Sequence, residues 1–217
     1  MSKSLTTLIS DVQALLLDDG TRFSTATVTA AVRSALKEFN QAAPIHAGTL
    51  VDTVAKQYEY ALNTVDFVSL IDVEDVLLQG TDTARDINIS LPYDYYFEDA
   101  APFIRLREPQ SAGRFLIVRF SIPYTVSGLE SATESTLFAF YDDILIDGAC
   151  FWSAQIRSAG RIETINLNQS VAENWLDVRR FYRQAFDHGL ALAAGRKPPV
   201  SEPSTAAWND NYHTWDQ

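Results

Sequence analysis

The sequence predicts an α+β fold: a helical bundle that carries an inserted, mostly antiparallel β unit and ends in an extended tail. Two stretches, residues 5–43 and 138–192, repeat apolar residues every three or four positions, as a helix with one buried face does. Between them, short runs alternate apolar and polar residues, which is typical of half-buried strands. We therefore predict a helical core at 1–44 and 137–195, a β insertion at 45–136 and an extended tail at 196–217.

The N-terminal stretch is predicted to be a helical hairpin. Its first apolar stripe comprises Leu5, Leu8, Ile9, Val12, Leu15 and Leu16. Asp18-Asp19-Gly20 then favours a turn, and Ser24 is a suitable N-cap for a second helix. Pro44 ends that helix, because the residue before a proline is driven out of the α region. Neither helix buries its stripe alone, so we expect the rest of the chain to supply a partner surface.

The β insertion is predicted from alternation and turn signals. Strands are expected at about 57–62, 67–78, 87–91, 103–106 and 115–122. Residues 45–52 are predicted to be a connector, and the aromatic-rich residues 92–98 an irregular segment. Residues 127–136 are polar and are expected to form a loop.

Two further helices are predicted after the insertion. The first starts near Phe138, and the small pair Gly148-Ala149 on its apolar face allows another helix to approach closely. In the second, apolar and small residues repeat with alternating steps of four and three: Val171, Trp175, Val178, Tyr182, Ala185, Gly189 and Leu192. Such a heptad-like seam requires a partner helix, from this chain or from another copy. Trp175, Val178 and Tyr182 are our candidates for a subunit interface, although core packing produces the same pattern.

Composition excludes several classes of protein. A single cysteine, Cys150, excludes an intrachain disulfide framework and a multi-cysteine metal site. The N-terminus lacks the pattern of a signal peptide, and no apolar run reaches the roughly 20 residues of a membrane-spanning helix. The formal net charge of −11 opposes a groove that grips nucleic-acid phosphates. Residues 152–197, with seven bases and four acids, are the basic exception, which suggests two faces with different neighbours.

Motifs for chemistry are missing from the sequence. It contains no glycine-rich phosphate loop, no GxSxG and no HExxH. We therefore expect no enzymatic activity, no cofactor and no metal site. One alternative rests on the aromatic block Tyr93, Tyr95, Tyr96 and Phe97 with the nearby acids Asp94, Glu98 and Asp99. It would suit a carbohydrate-binding or glycoside-hydrolysing accessory protein, but such blocks also pack over sheet edges.

The C-terminal tail carries large apolar side chains that a solvated linker does not need. Trp208, Tyr212 and Trp215 lie among proline, serine, asparagine and aspartate residues. We expect them to anchor the tail on a partner protein. The alternative is that they fold back on this chain's own surface.

Four segments resemble one family. "LISDVQALLLDDGTRFSTATVTAAVRSALKEFNQAAP" resembles the opening of head–tail adaptor (connector or head-completion) proteins of tailed phages. "YEYALNTVDFVSLIDVEDVLL" and "FLIVRFSIPYTV" are similar to the strands of the β insertion in one branch of that family, and "LFAFYDDILIDGACFWSAQIRSA" is similar to its later helix. The resemblance covers most of residues 5–193 and consists of packing patterns, with no catalytic signature.

The resemblance implies a structural virion protein. Members of this family form a homo-oligomeric ring, commonly dodecameric. The ring binds the portal, extends the DNA channel and provides a docking platform for the next tail or stopper protein. It implies a location in the virion neck, between the capsid portal and the tail, after synthesis in the host cytoplasm, with no membrane partner. DNA would pass through without specific binding, which agrees with the acidic charge of the chain.

Overall fold

The fold class is confirmed: four helices are combined with antiparallel sheets. The structure, a computed structural model, describes residues 2–17, 22–62, 70–79, 88–99, 101–161 and 169–195, with the backbone alone at 159–161 and 169–174. The described chain divides into two compact units, one built from the helices with residues 124–141 and the other from residues 45–123. The domain boundaries given above stay a prediction.

Two helices form the N-terminal part of the helical unit, as predicted. Helix α1 spans Leu5–Leu15 and helix α2 spans Thr25–Ala42. The Ser24 side chain accepts a hydrogen bond from the Thr27 backbone N–H, which confirms Ser24 as the N-cap of α2. The stripes face inward, since the buried residues of α1 and α2 are Leu8, Ile9, Val12, Val28, Ala31, Val32, Ala35, Leu36 and Phe39.

The remaining helices complete the bundle. After a short 3₁₀ turn at Ala139–Tyr141, helix α3 spans Asp142–Arg161, and helix α4 spans Gln169–Gly195. Helix α3 packs against both α2 and α4. The predicted close approach at Gly148 is confirmed, because a Cβ atom there would lie 2.7 Å from the Phe186 ring and 2.9 Å from the Ala35 side chain.

The β unit contains two antiparallel sheets. The seven strands run β1 Ile45–Asp52, β2 Glu59–Ala61, β3 Asp72–Leu78, β4 Ile89–Ser90, β5 Tyr93–Glu98, β6 Ala101–Leu106 and β7 Phe115–Ile122. One sheet has the order β1-β7-β3-β4 and the other the order β2-β6-β5. A single buried cluster draws side chains from both sheets, among them Tyr60, Val76, Ile104, Leu116 and Phe120.

Two sequence interpretations in this unit are wrong. Residues 45–52, predicted to be a connector, pair with β7 along their whole length, from Ile45 opposite Ile122 to Asp52 opposite Phe115. The irregular segment predicted at 92–98 forms β5 and pairs with β6. In both cases partner strands supply the ladder hydrogen bonds, so the segment becomes a strand without a clean local alternation.

Candidate functional site

The three residues predicted to form a subunit interface lie on one face of the N-terminal half of α4. Trp175, Val178 and Tyr182 are each half-buried, and all three line the same groove. The end of α1 forms the opposite side of this groove. The groove has a volume of about 370 Å³. We call it the α1–α4 groove; it is lined by Leu15, Leu16, Leu17, Trp175, Asp177, Val178, Phe181 and Tyr182. A role of these residues in subunit contact stays a prediction.

Trp175 is held in place by residues of its own chain. Its ring meets the fully buried Phe23 ring edge to face, with 5.5 Å between the ring centroids. The Arg157 guanidinium lies 5.2 Å from the centroid of Phe23 and 5.6 Å from that of Trp175, within the range of cation–π attraction. Arg157 Nη1 also donates a hydrogen bond of 2.6 Å to the Arg22 carbonyl. Part of the Trp175 side chain therefore packs within its own chain.

Tyr182 connects the groove to the interior of the bundle. It lies beside the thiol of Cys150, which is fully buried on α3. Burial is the main reason that the pKa of Tyr182 and the pKa of Cys150 are each raised to about 12. Asp147 adds a negative charge that raises both pKa values further. Both groups are protonated at neutral pH, so this pair carries no charge.

The rim of the groove exposes apolar side chains. The exposed fraction is 64% for Phe181, 51% for Leu15 and 88% for Leu17. Sequence reasoning missed Phe181, because it lies one position before Tyr182 and is not a member of the heptad-like seam, and it missed Leu17, because that residue follows the first stripe. The available signal was the uninterrupted run Leu15-Leu16-Leu17 directly before a turn, since such a run covers more than one face of a helix.

Leu17 also has an unusual backbone conformation. Its φ of +51° lies in the left-handed region, directly after the helix C-cap at Leu16. Glycine is the usual residue at this position, because a side chain there costs roughly 1–2 kcal/mol. A leucine that is both strained and exposed is unfavourable for the isolated chain, and residues of this kind cluster at functional sites.

Charged residues border the groove. Asp177 lines it and pairs with Arg180 at 3.5 Å, and the Arg180 side chain is 74% exposed. Arg179 Nη1 donates a hydrogen bond of 2.9 Å to Gln155 Oε1. The Arg157 guanidinium lies over the ring of Trp175, which also lines the groove.

The other predicted contact residues are in the tail. Trp208, Tyr212 and Trp215 lie outside the described residues, so their assignment as partner anchors stays a prediction.

The aromatic block of the carbohydrate alternative lies on β5 and presents rings to both faces of its sheet. Tyr93 and Tyr95 pack against the buried cluster of the β unit, and the Tyr93 hydroxyl donates a 2.7 Å hydrogen bond to the Val73 carbonyl. Tyr96 is stacked on Phe103, with 5.6 Å between ring centroids. These rings do not form one flat platform for a sugar, and their contacts match the alternative of packing over a sheet.

The described part of the chain contains neither a metal-binding cluster nor a membrane-spanning helix. Among the described residues, no group of three or more His, Cys, Asp or Glu side chains is arranged to hold a metal ion. None of the described helices has the length and apolar character needed to cross a membrane. Of the histidines, His46 is hydrogen-bonded to Glu74 in the β unit, and His188 is exposed on α4.

Comparison with solved structures gives a weak likeness. No family model matches the sequence, and no curated protein matches it. Among solved structures, the chain is similar to a chain in the neck of an empty GTA particle computed with C6 symmetry. The TM-score is 0.27 and the identity 14%, and the match covers 58% of this chain and 66% of that chain, just under two thirds of its length. At this TM-score the likeness carries no argument about fold or function.

Proposed function

We propose that the chain is a structural, non-enzymatic virion protein of the head–tail neck. It would form a ring with copies of itself beneath the portal, continue the DNA channel and offer a platform to the next tail or stopper protein. The resemblance of residues 5–193 to head–tail adaptors supports this proposal. The structural observation that carries it is the open α1–α4 groove.

The groove suits a contact between protein surfaces. It is lined almost entirely by apolar and aromatic side chains, with Asp177 as the charged exception. Aromatic residues in a preformed pocket are the usual centre of a protein interface, surrounded by a polar rim. Asp177, which lines the groove and pairs with Arg180, supplies a charged residue of this kind. A neighbouring subunit that covered Leu15, Leu17 and Phe181 would remove exposed apolar surface from water, and this burial would stabilise the ring.

The charge of the chain fits a DNA conduit. A channel wall must let the duplex slide, and contacts to phosphates slow that motion. With a formal net charge of −11, the chain provides few such contacts. The basic region around α4 is then available for protein neighbours, whose acidic surfaces it would complement.

The best single test uses Phe181, because its side chain is exposed and its loss leaves the buried core intact. We expect the wild-type chain, mixed with its portal protein, to add an integral number of 24.2 kDa subunits to the portal particle in mass photometry. Phe181→Ser should lower the fraction of completed particles roughly tenfold, since an aromatic anchor at an interface contributes at least about 1.4 kcal/mol.

A matched control is Leu192→Ser on the same helix. Leu192 is 48% exposed and lies outside the groove lining. This variant should assemble like the wild type. A chain that adds no mass to the portal particle would contradict the adaptor proposal. If Phe181→Ser assembled as well as the wild type, the groove would not be the subunit contact of the proposed ring.

A further inference from the structure

Two phenylalanine side chains are exposed on the helical unit just before α3. Phe138 is 36% exposed and Phe140 is 55% exposed, and their rings are stacked with 5.4 Å between centroids. Buried aromatic rings support both: Tyr124 lies 6.0 Å from Phe138, and Tyr141 lies 4.2 Å from Phe140, between ring centroids. We call Phe138 and Phe140 the aromatic knob. Because its rings are already packed against the core, covering the knob costs little further conformational entropy.

The aromatic knob and the α1–α4 groove lie at opposite ends of α1. The Lys3 backbone N–H, just before α1, donates a 3.1 Å hydrogen bond to Oδ2 of Asp142, two residues after Phe140. Residues 15–17, at the other end of this helix, line the groove. Helix α1, Leu5–Leu15, is about 16 Å long at 1.5 Å per residue. The knob is therefore too far from the groove of its own chain to occupy it.

Knob and groove together expose enough apolar surface for a specific contact. Leu15, Leu17 and Phe181 of the groove are each more than half exposed. With the two knob residues, and at roughly 200 Å² for a large apolar side chain, they expose on the order of 600 Å². A specific protein interface needs about 1,000 Å² in total, of which roughly 60% is apolar. The two surfaces thus supply the apolar part of such an interface.

The two surfaces also differ in shape. The groove is a preformed concavity of about 370 Å³ with Trp175 and Phe181 in its lining, whereas the knob is a stacked pair of rings at a short 3₁₀ turn. A groove that faced another groove would leave unfilled space, and atoms that line such a space lose their contacts. Aromatic anchors of one partner usually fill a pocket of the other. The knob is therefore a better occupant of the groove than a second groove.

We propose that the aromatic knob of one chain occupies the α1–α4 groove of a second copy, where Phe140 packs against Trp175 and Phe181. This inference rests on the proposed ring, and it names the two surfaces that join its subunits. Because knob and groove are different surfaces, the contact is head to tail, and each copy uses both surfaces once. A head-to-tail contact continues from copy to copy and forms a ring when the rotation closes, whereas a two-fold contact ends at a dimer.

Disulfide capture in the full-length protein tests this pairing. Ala139→Cys places a thiol at an exposed position between the two knob residues, and Asp177→Cys places one in the groove lining. The natural Cys150 is fully buried, and burial raises its thiol pKa to about 12, so it should not compete. In an oxidised equimolar mixture of the two variants, we expect dimers that join one variant to the other. Preferential dimers of Ala139→Cys with itself, or of Asp177→Cys with itself, would show a two-fold contact and overturn the proposal.

Two further changes separate a specific contact from random collision. Phe140→Ser, added to the Ala139→Cys chain, should lower the yield of mixed dimer roughly tenfold, because it removes an aromatic anchor. Leu192→Ser, added to the Asp177→Cys chain, should leave the yield unchanged, since Leu192 is exposed on α4 outside the groove lining. The proposal is wrong if no mixed dimer forms, or if its yield is independent of Phe140.

A chain that carries both cysteines distinguishes this inference from the proposed function. It is mixed with the portal protein and oxidised, and the head-to-tail contact should give a ladder of cross-linked multimers. If the portal particle gains an integral number of subunits but no ladder forms, the adaptor proposal stands and the knob–groove contact is overturned. If a ladder forms but the portal particle gains no mass, the knob–groove contact is supported and the adaptor proposal fails.

Discussion

The two halves of α4 carry similar side chains but use them differently. In the C-terminal half, Phe186 is fully buried, and a Cβ atom added at Gly189 would lie 2.9 Å from the Ile144 side chain. In the N-terminal half, Phe181 is 64% exposed beside an open groove. Two phenylalanines five residues apart on one helix thus differ in whether α3 covers them. An apolar residue on an amphipathic helix contributes to the core only where a neighbouring element is close enough to exclude water.

The largest expected effect is the difference in stability between two phenylalanine-to-alanine variants. Phe186→Ala should lower the free energy of unfolding by about 3–5 kcal/mol, because it leaves a cavity against Gly148. Phe181→Ala should change it by less than about 0.5 kcal/mol. Urea denaturation followed by circular dichroism measures both. Similar losses in the two variants would mean that the N-terminal half of α4 is as much a part of the core as the C-terminal half.

A second prediction concerns Cys150 on α3 and Tyr182 on α4. Tyr182 lies where the two halves of α4 meet. The thiol pKa is about 12 in the folded chain and ordinarily 9.0, so above pH 9 the unfolded chain loses this proton first. Stability must therefore fall as the pH rises, by up to about 1.4 kcal/mol per pH unit from this group. In Cys150→Ala the fall between pH 9 and 10.5 should be less steep.

The control for this pH effect is Phe181→Ala, which should keep the wild-type slope. Tyr182, with its pKa also raised to about 12, should leave a residual slope in Cys150→Ala. Parallel pH curves for the wild type and Cys150→Ala would contradict a buried, protonated thiol in the folded chain.

The smallest effect is expected at Leu17. Leu17→Gly should raise the free energy of unfolding by about 1 kcal/mol, because glycine adopts the left-handed conformation without steric cost. The same change removes apolar lining from the groove, so assembly should weaken while stability rises. Leu17→Ala, which keeps a Cβ atom at positive φ, should not gain this stability. A loss of stability in Leu17→Gly would mean that the Leu17 side chain packs in the folded chain.

Local patterns predicted much of the helical unit. Buried positions of α1 and α2 follow the apolar stripes, and Ser24 caps α2 as expected. Strands β1 and β5 were missed because their local sequences do not indicate a strand. They form strands because they pair with β7 and β6, respectively. For the groove, the sequence pointed to Trp175, Val178 and Tyr182 but not to Leu17 or Phe181. Those two line the groove only because the end of α1 lies beside α4.

The seam on α4 shows where sequence reasoning ends. The sequence by itself determined that this helix has one apolar face, that Gly148 permits close approach and that the tail carries tryptophans. The tertiary structure decided which residues continue that face. The seven-residue repeat selected Ala185, Gly189 and Leu192, and of these Gly189 is buried, whereas the other buried residues here are Phe186 and Ala193. A straight helix of 3.6 residues per turn drifts about 20° per heptad from a strict 3.5-residue repeat, and the position of α3 determines which residues are covered.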